Sequence, residues 1–244
     1  MVEGRAAPEG YQGLPQAARR ILGINLSPAT QKAFDWYSLE LQTWNQRFNL
    51  TAITDPVEIE VKHFLDSLTC LKVLEPAGRL IDVGTGGGFP GLPLKLVCPQ
   101  LQVTLVESTR KKVEFCQHVI QELGLEGVKA IHGRAEELGQ QVEHRDSYDM
   151  AVARAVAPME VLVEYLLPFL KVGGRMVAMK GETGPVEAHQ AESAVKLLGG
   201  QIKNLVQIEL PKVTETRYLV VVEKVSATPV DYPRRPGIPS KRPL

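Results

Sequence analysis

The chain has 244 residues, of which 44% are hydrophobic and 23% charged, values that are ordinary for a globular protein and that exclude a fibrous or disordered chain. Its 28 basic residues equal its 28 acidic residues, so net charge neither indicates nor excludes a nucleic-acid partner. The apolar runs are too short to span a membrane, the N-terminus lacks a signal-peptide pattern, and the three cysteines lack C-x-x-C spacing, so we expect a cytoplasmic protein with no membrane association, disulfide or metal.

The first part of the chain carries helix signals. Ser27-Pro28 combines an N-cap residue with proline at the first helical position, and large apolar residues then recur at steps of three and four, at Phe34, Tyr37, Leu41, Trp44 and Phe48. Asp55-Pro56 repeats the start signal for a second helix. We therefore predict a flexible N-terminus over residues 1–13 and a helical lead-in subdomain without strands over residues 14–75.

From residue 76 onward, strand and helix patterns alternate. The predicted strands are 79–83, 102–107, 128–132, 148–153, 175–180, 201–210 and 217–225, and the predicted helices are 91–97, 109–123, 158–170 and 185–198. Only a short loop separates the last two strands, so they should pair antiparallel. We therefore predict an α/β fold over residues 76–226, with a seven-stranded, mostly parallel sheet and a terminal antiparallel hairpin. This arrangement resembles the Rossmann-like class I methyltransferases. A basic, Pro-rich C-terminal tail follows over residues 227–244.

A glycine-rich loop follows the first predicted strand. The run from Ile81 to Gly88 is IDVGTGGG, and its glycines let the backbone approach a ligand because they lack a Cβ atom. A dinucleotide site requires G-x-G-x-x-G, whereas the sixth position of that motif is Phe89 here. Asp82, two residues before the first glycine, instead favours S-adenosylmethionine. We predict that Asp82, Gly84, Gly86 and Gly88 bind this cofactor.

Two acidic positions further along the chain extend the predicted cofactor site. Glu107 ends the second strand, where a carboxylate can accept hydrogen bonds from both hydroxyls of an adenosine ribose. A carboxylate at a solvated strand end is the alternative interpretation. Ala135-Glu136 follows the third strand, where the backbone could contact the edge of the adenine ring.

The methyl acceptor can be narrowed by the residues that the sequence lacks. Methylation of pyrimidine C5 needs a cysteine nucleophile, usually just after a proline, but Cys98 precedes Pro99. Methylation of an exocyclic amine usually involves an Asp/Asn-Pro-Pro-Tyr segment, which is absent after the fourth strand. Purine N7 is nucleophilic without a base, so an enzyme acting on it must mainly align the two reactants.

Arg154 is the strongest candidate for a catalytic side chain. It ends the fourth strand at the sheet edge where open α/β folds bind ligands, and its neighbours are alanines and valines. We expect it to hydrogen-bond guanine O6 or a phosphate, because bidentate pairing with O6 and N7 would occupy the reacting lone pair. A surface arginine paired with a carboxylate is the alternative.

Five segments together resemble one family. They are Asn49 to Thr51, His63 to Ser67, Ile81 to Gly91, Arg134 to Glu136 and Arg154-Ala155, and their order and spacing resemble the bacterial small-subunit rRNA guanine-N7 methyltransferases, also called glucose-inhibited division protein B. The resemblance covers nearly the whole chain, although members often have proline where this chain has Gly87. It implies a monomeric cytoplasmic enzyme that uses S-adenosylmethionine to methylate guanine N7 in the decoding-region loop of 16S rRNA, either free or within the 30S subunit. It also implies that Gly84, Phe89, Ala135, Glu136 and Arg154 contact the cofactor.

An RNA substrate predicts positive charge around the acceptor mouth. The candidate RNA contacts are Asn49, Lys62, His63, Lys111 and Lys180, together with Arg110, Lys112 and the basic tail. A solvated helix face is an equal alternative for 110–112, and His63 is as consistent with a buried structural histidine as with a substrate contact.

Three other functions compete with this prediction. A methyltransferase acting on another RNA or on a small molecule stays open, although a small molecule would favour a closed apolar pocket. A nicotinamide-dependent dehydrogenase lacks its fingerprint here. An RNA-binding module without activity would have no use for Asp82, Glu107 and the glycine loop together.

Overall fold

The computed structural model describes residues 11–244 of the chain. Residues 1–10, which make up most of the predicted flexible N-terminus, lie outside the described residues. Within 11–244 no helix is both long and apolar enough to cross a membrane.

The lead-in is helical, as predicted. Helix α1 spans Leu14–Leu22 and α2 spans Pro28–Phe48, where the Ser27 side chain accepts from the backbone N–H of Thr30 and caps the helix. A second helical segment begins with α3, Pro56–Glu58, then widens into a π-helix, Ile59–Leu65, and ends with α4, Asp66–Leu68, and a 3₁₀ turn, Thr69–Lys72.

The sheet has seven strands in the order β3-β2-β1-β4-β5-β7-β6. Their bounds are β1 Gly78–Val83, β2 Leu101–Glu107, β3 Val128–His132, β4 Tyr148–Arg154, β5 Leu170–Lys180, β6 Gly200–Ile208 and β7 Arg217–Lys224. Strands β1 to β5 run parallel, and β7 pairs antiparallel with both β5 and β6. The predicted fold class, including the terminal hairpin, is therefore confirmed.

Helices cover both faces of the sheet. Those after the lead-in are α5 Gly91–Val97, α6 Arg110–Glu122, α7 Ala135–Leu138, α8 Met159–Leu166, α9 Gly184–Gln190, α10 Glu192–Leu197 and α11 Ile238–Lys241. Successive strand residues pack into different cores: Val152 joins the cluster beneath the lead-in, whereas Ala151 and Ala153 join the cluster beneath α8 to α10. The lead-in thus extends one face of the sheet and shares its core.

The C-terminal segment lies against the α/β domain. The Arg145 guanidinium donates to the carbonyl oxygens of Thr228, Pro229 and Tyr232 at 2.7 to 3.1 Å. Arg234 forms a bidentate ion pair with the fully buried Glu164 of α8, from Nε to Oε1 at 2.9 Å and from NH2 to Oε2 at 2.6 Å. The predicted basic tail is therefore a docked strap, and its charge is partly used inside the molecule.

Candidate functional site

The glycine-rich loop lies at the carboxyl edge of the sheet, directly after β1. The backbone N–H groups of Gly84 and Thr85 both donate to the carbonyl of Val106 in β2, at 2.8 and 3.1 Å. The N–H groups of Gly88 and Phe89 then donate to the carbonyl of Thr85. These bonds fold the loop back over the strand ends and fix its shape.

The loop requires glycine at different positions for different structural reasons. A Cβ on Gly84 would lie 2.5 Å from Val156 Cγ2, and one on Gly88 would lie 2.4 Å from Leu92 Cδ1, so these two glycines permit close packing. Gly86 has a φ of +59°, and a Cβ there would meet nothing within 4 Å. The backbone at Gly86 therefore faces open space that a ligand can occupy.

Asp82 is fully buried beneath this loop. Its Oδ2 accepts from the Thr85 hydroxyl at 2.6 Å and from the Gly91 N–H at 2.8 Å, while its Oδ1 is buried and has no partner among residues 11–244. Burial raises the pKa of this carboxyl to about 6, against the opposing effect of its two hydrogen bonds. One oxygen of the carboxylate is thus satisfied, whereas Oδ1 retains the capacity to accept a further hydrogen bond.

Glu107 is held at the neighbouring strand end. One carboxylate oxygen accepts from the N–H of Gly86 at 3.0 Å, and the other accepts from the N–H of Thr109 at 2.8 Å. The side chain is 7% exposed, which disfavours the solvated strand end that the sequence left open. The oxygen bonded to Thr109 also accepts from the Ser108 hydroxyl at 3.4 Å, whereas the oxygen bonded to Gly86 keeps a further lone pair, as a bond to a ribose hydroxyl requires.

Arg154 is half-buried between the end of β4 and the lead-in. Its NH1 group donates to Asp66 Oδ2 at 2.8 Å and to the Lys62 carbonyl at 2.9 Å, and its guanidinium lies 5.3 Å from the centroid of the Phe89 ring. The carboxylate partner of the alternative interpretation therefore exists, but the pair is internal: the two side chains are 13% and 6% exposed. The residue after it, Ala155, has a φ of 55°, a conformation that a non-glycine residue adopts only when its surroundings enforce it.

His63 joins this arginine to the glycine-rich loop. Its ring stacks on Phe89 with 4.5 Å between centroids and 8° between planes, and its Nδ1 lies 3.2 Å from Arg154 NH2. Its Nε2 lies 2.9 Å from the Thr51 hydroxyl. Burial, and secondarily the Arg154 charge, lowers the pKa of His63 to about 3, so the ring is neutral at neutral pH.

Helix α2 supports the loop from below. The buried Tyr37 hydroxyl donates to the Gly87 carbonyl, and its ring stacks on Phe89 with 5.5 Å between centroids. Neither Tyr37 nor Asp66 stands out from sequence as a site residue, because Tyr37 fits the apolar stripe of a helix. Asp66 could be found only through the His63 to Ser67 segment of the family resemblance.

The remaining predicted cofactor residues lie after β3. Ala135 opens α7, and the Gly133 N–H donates to the Glu107 carbonyl at 3.0 Å, which joins this turn to the end of β2. The Glu136 side chain is buried and accepts from the N–H of Gly237 in the C-terminal strap. A cofactor contact at Glu136 would therefore use its backbone.

The predicted RNA contacts divide into two sets. Asn49 is an exposed C-cap of α2, and the neighbouring Phe48 ring lies 4.9 Å from Lys111 Nζ and 5.7 Å from the Arg47 guanidinium. These residues form a surface of exposed basic side chains around a half-buried aromatic ring, and it includes Arg47, a residue that the sequence analysis missed.

Lys62 and Lys180 already have carboxylate partners within the chain. Lys62 Nζ is bonded to Glu58 at 2.6 Å. Lys180 Nζ is bonded to Glu187 at 2.7 Å and to the Ala157 carbonyl at 2.6 Å, and its side chain is 10% exposed. An RNA phosphate would have to displace Glu187 to reach Lys180, so this lysine is the weakest member of the predicted set.

No group of three or more His, Cys, Asp or Glu residues within 11–244 is placed to hold a metal ion.

Comparisons with a family model and with individual relatives point to the same protein family. A family model described as GidB, rRNA small subunit methyltransferase G, matches residues 30–216. Two relatives named ribosomal RNA small subunit methyltransferase G come from Alkaliphilus metalliredigens and Pelotomaculum thermopropionicum. The first is 49% identical over 91% of this chain and 94% of its own. The second is 49% identical over 92% and 95%.

Solved structures share the fold at low sequence identity. A SAM-dependent methyltransferase from Aquifex aeolicus is 18% identical over 70% of this chain and 94% of its own, with a TM-score of 0.53. TYW2 from M. jannaschii, in complex with AdoMet, is 14% identical over 67% and 76%, also with a TM-score of 0.53. With the match over residues 30–216, these findings place the chain in the GidB family, the rRNA small subunit methyltransferases G.

Proposed function

We propose that this protein transfers the methyl group of S-adenosylmethionine to N7 of a guanine in the decoding-region loop of 16S rRNA. The observation that carries the proposal is the loop at the end of β1, where the unpartnered Asp82 Oδ1, the open backbone at Gly86 and the Glu107 carboxylate lie together. The names of the relatives supply the substrate class.

The residues around the loop fit this cofactor. Asp82 Oδ1 would accept from the amino group of the methionine part, Glu107 would accept from the ribose hydroxyls, and the backbone at Ala135-Glu136 would border the adenine. S-adenosylmethionine, when bound, supplies an electrophilic methyl group. The chain's own residues bind and orient the reactants, which suits an acceptor nitrogen that carries no proton to remove.

The protein's other role is to align guanine with the cofactor. Phe89, His63 and Arg154 form a stacked column beside the loop, and the Arg154–Asp66 ion pair holds that column in place. The neutral His63 is not suited to act as an acid, since its lowered pKa leaves it unprotonated throughout the physiological range. We therefore assign the column to positioning and propose that Arg154 acts through it.

The proposed RNA contacts are Asn49 and Lys111, with weaker contributions from His63, Lys62 and Lys180. Basic side chains beside a half-buried aromatic ring suit an unpaired RNA loop, because they combine phosphate attraction with base stacking. We further propose that the enzyme is a monomer and that it acts in the cytoplasm, where its ribosomal substrate is made.

The test is to incubate the protein with tritiated S-adenosylmethionine and either free 16S rRNA or 30S subunits. N7-methylguanine is then located by borohydride reduction and aniline cleavage. We expect label at a single guanine in the decoding-region loop of one or both substrates. Label at another atom, in another RNA, or only in small molecules would contradict the proposal and favour a different acceptor class.

A further inference from the structure

The hydrogen-bond directions around His63 are fixed by chemistry. Arg154 NH2 lies 3.2 Å from His63 Nδ1, and a guanidinium can only donate, so Nδ1 is the acceptor. A neutral imidazole with an acceptor Nδ1 carries its hydrogen on Nε2. The bond of 2.9 Å between Nε2 and Thr51 Oγ1 is therefore donated by the histidine.

Thr51 then has one hydrogen-bonding capacity left. Its hydroxyl oxygen has two lone pairs, which accept from His63 Nε2–H and from the backbone N–H of Ile53 at 3.0 Å. The Thr51 backbone is also fixed, because its N–H donates to Asn45 Oδ1 at 2.9 Å. No acceptor for the hydroxyl hydrogen lies within the part of the chain that the structure describes. This half-buried hydroxyl is thus oriented as a donor and cannot accept another bond.

The place of this donor suggests its partner. Thr51 is bonded to His63, whose ring stacks on Phe89 beside the glycine-rich loop, so the hydroxyl lies next to the proposed cofactor site. Guanine presents two acceptors there, N7 and O6, whereas adenine presents N7 and an amino group that donates. The reacting N7 must keep its lone pair free. A hydroxyl has a single hydrogen, so it can donate to O6 without also occupying N7. A phosphate would instead be expected to attract a free cation, and the nearby Lys62 is paired with Glu58.

We propose that the Thr51 hydroxyl donates to O6 of the acceptor guanine and that Thr51 is a residue that determines specificity for guanine over adenine. The proposal rests on guanine-N7 methylation as the proposed function. Because both lone pairs of Thr51 are occupied, an adenine amino group would place two donors against each other, with no acceptor between them.

The test compares two hydroxyl variants on two RNAs. Thr51→Val removes the hydroxyl with little change in shape, Thr51→Ser retains it, and Thr54→Val in the same exposed segment is the control. The substrates are 16S rRNA with the target guanine intact and the same RNA with 2-aminopurine at that position, which keeps N7 but lacks O6. We measure kcat/KM for RNA and, by calorimetry, the affinity for S-adenosylmethionine.

We expect Thr51→Val to lower kcat/KM on guanine RNA about tenfold, the size of one lost hydrogen bond, while Thr51→Ser and Thr54→Val stay within about threefold. On 2-aminopurine RNA, Thr51→Val should match the unmodified enzyme, because the bond to O6 is already missing. Cofactor affinity should stay within about threefold.

Three outcomes would overturn the assignment. Thr51→Val could match the unmodified enzyme on guanine RNA, or it could lose the same factor on both RNAs, as a phosphate contact would cause. It could also lose cofactor affinity in proportion to turnover, which would trace the effect to a displaced His63. If the unmodified enzyme left guanine N7 unmethylated, the proposed function itself would fail, and that result is distinct from the other three.

Discussion

At the scale of single residues, Asp82 is a carboxylate whose charge costs stability in the absence of a ligand. Its pKa is raised from 3.8 to about 6, so the folded protein binds a proton more tightly than the unfolded chain. The stability that this proton provides is fully present below pH 4 and is lost as pH rises through about 6. A shift of this size corresponds to about 3 kcal/mol at neutral pH.

We predict that Asp82→Asn removes this pH dependence. Between pH 4 and pH 6.5 the free energy of unfolding of the unmodified protein should fall by up to about 3 kcal/mol relative to that of the variant, as measured by urea denaturation without cofactor. At neutral pH the variant should bind S-adenosylmethionine more than about tenfold more weakly, because an amide no longer offers a charged acceptor at the Oδ1 position. Parallel stability curves for the two proteins over this pH range would show that Asp82 does not titrate as described.

Arg154 combines a structural role with a functional one, and a second substitution separates the two. Arg154→Ala should lower turnover by more than about tenfold and reduce stability by about 3 kcal/mol, since it leaves the 4% exposed Asp66 without its cation. In the double variant Arg154→Ala/Asp66→Asn, most of the stability should return while turnover stays low. Recovery of both in the double variant would limit Arg154 to a structural role.

At the scale of elements, helix α2 packs against the glycine-rich loop and holds its shape. The bond from Tyr37 to the Gly87 carbonyl and the ring stacking on Phe89 join a lead-in helix to the loop that is proposed to contact the cofactor. The lead-in therefore supports the proposed cofactor site as well as the proposed RNA-binding surface, and damage to α2 should affect cofactor binding before it affects the sheet.

We predict that Tyr37→Phe, which keeps the ring and removes the hydroxyl, destabilises the protein by about 1 kcal/mol and weakens S-adenosylmethionine binding. The Gly87 carbonyl loses its donor in a buried place, and the loop becomes free to sample other shapes. Tyr218→Phe on the half-buried face of β7 is the matched control and should bind the cofactor normally. Calorimetric titration measures both, and equal affinities for the two variants would exclude a role of Tyr37 in shaping the loop.

The elements also show how far sequence patterns reach. The alternation of apolar residues located all seven strands, and β3 was predicted at its observed bounds, Val128–His132. Strand β5 begins at Leu170, five residues before the prediction, because Gly173 and Gly174 resemble a turn yet continue the strand beside β4 through a shift in register. Helix α8 ends at Leu166, since Pro168 prevents its regular continuation.

The candidate site was predictable from the sequence where its side chains lie at the ends of strands. Asp82, Glu107 and Arg154 could be placed at one edge because parallel strands end together. The π-helix, Ile59–Leu65, was expected to be a regular helix, since its wider turn has no sequence period that distinguishes it. The contacts of Asp66 and Thr51 with residues distant in sequence arise only from tertiary packing, so no local pattern could reveal them.

At the scale of the whole molecule, the C-terminal strap closes the structure. It runs from β7 past the end of α7, where Gly237 bonds Glu136, and it crosses α8, where Arg234 reaches Glu164. Glu164 is completely buried, so its charge depends on the strap for compensation. The strap thus couples the last residues of the chain to the turn that is proposed to border the adenine.

We predict that Arg234→Ala destabilises the protein by about 3 kcal/mol or more, because it leaves the Glu164 carboxylate buried and unpaired. Arg235→Ala removes the same charge from an exposed neighbouring position and should change stability by less than about 0.5 kcal/mol. Urea denaturation at neutral pH measures both variants, and the double variant Arg234→Ala/Glu164→Gln should recover part of the loss. Because the strap also holds Glu136, Arg234→Ala should weaken cofactor binding even where the protein is fully folded. Equal stability of the two arginine variants would show that the strap is only loosely attached in solution.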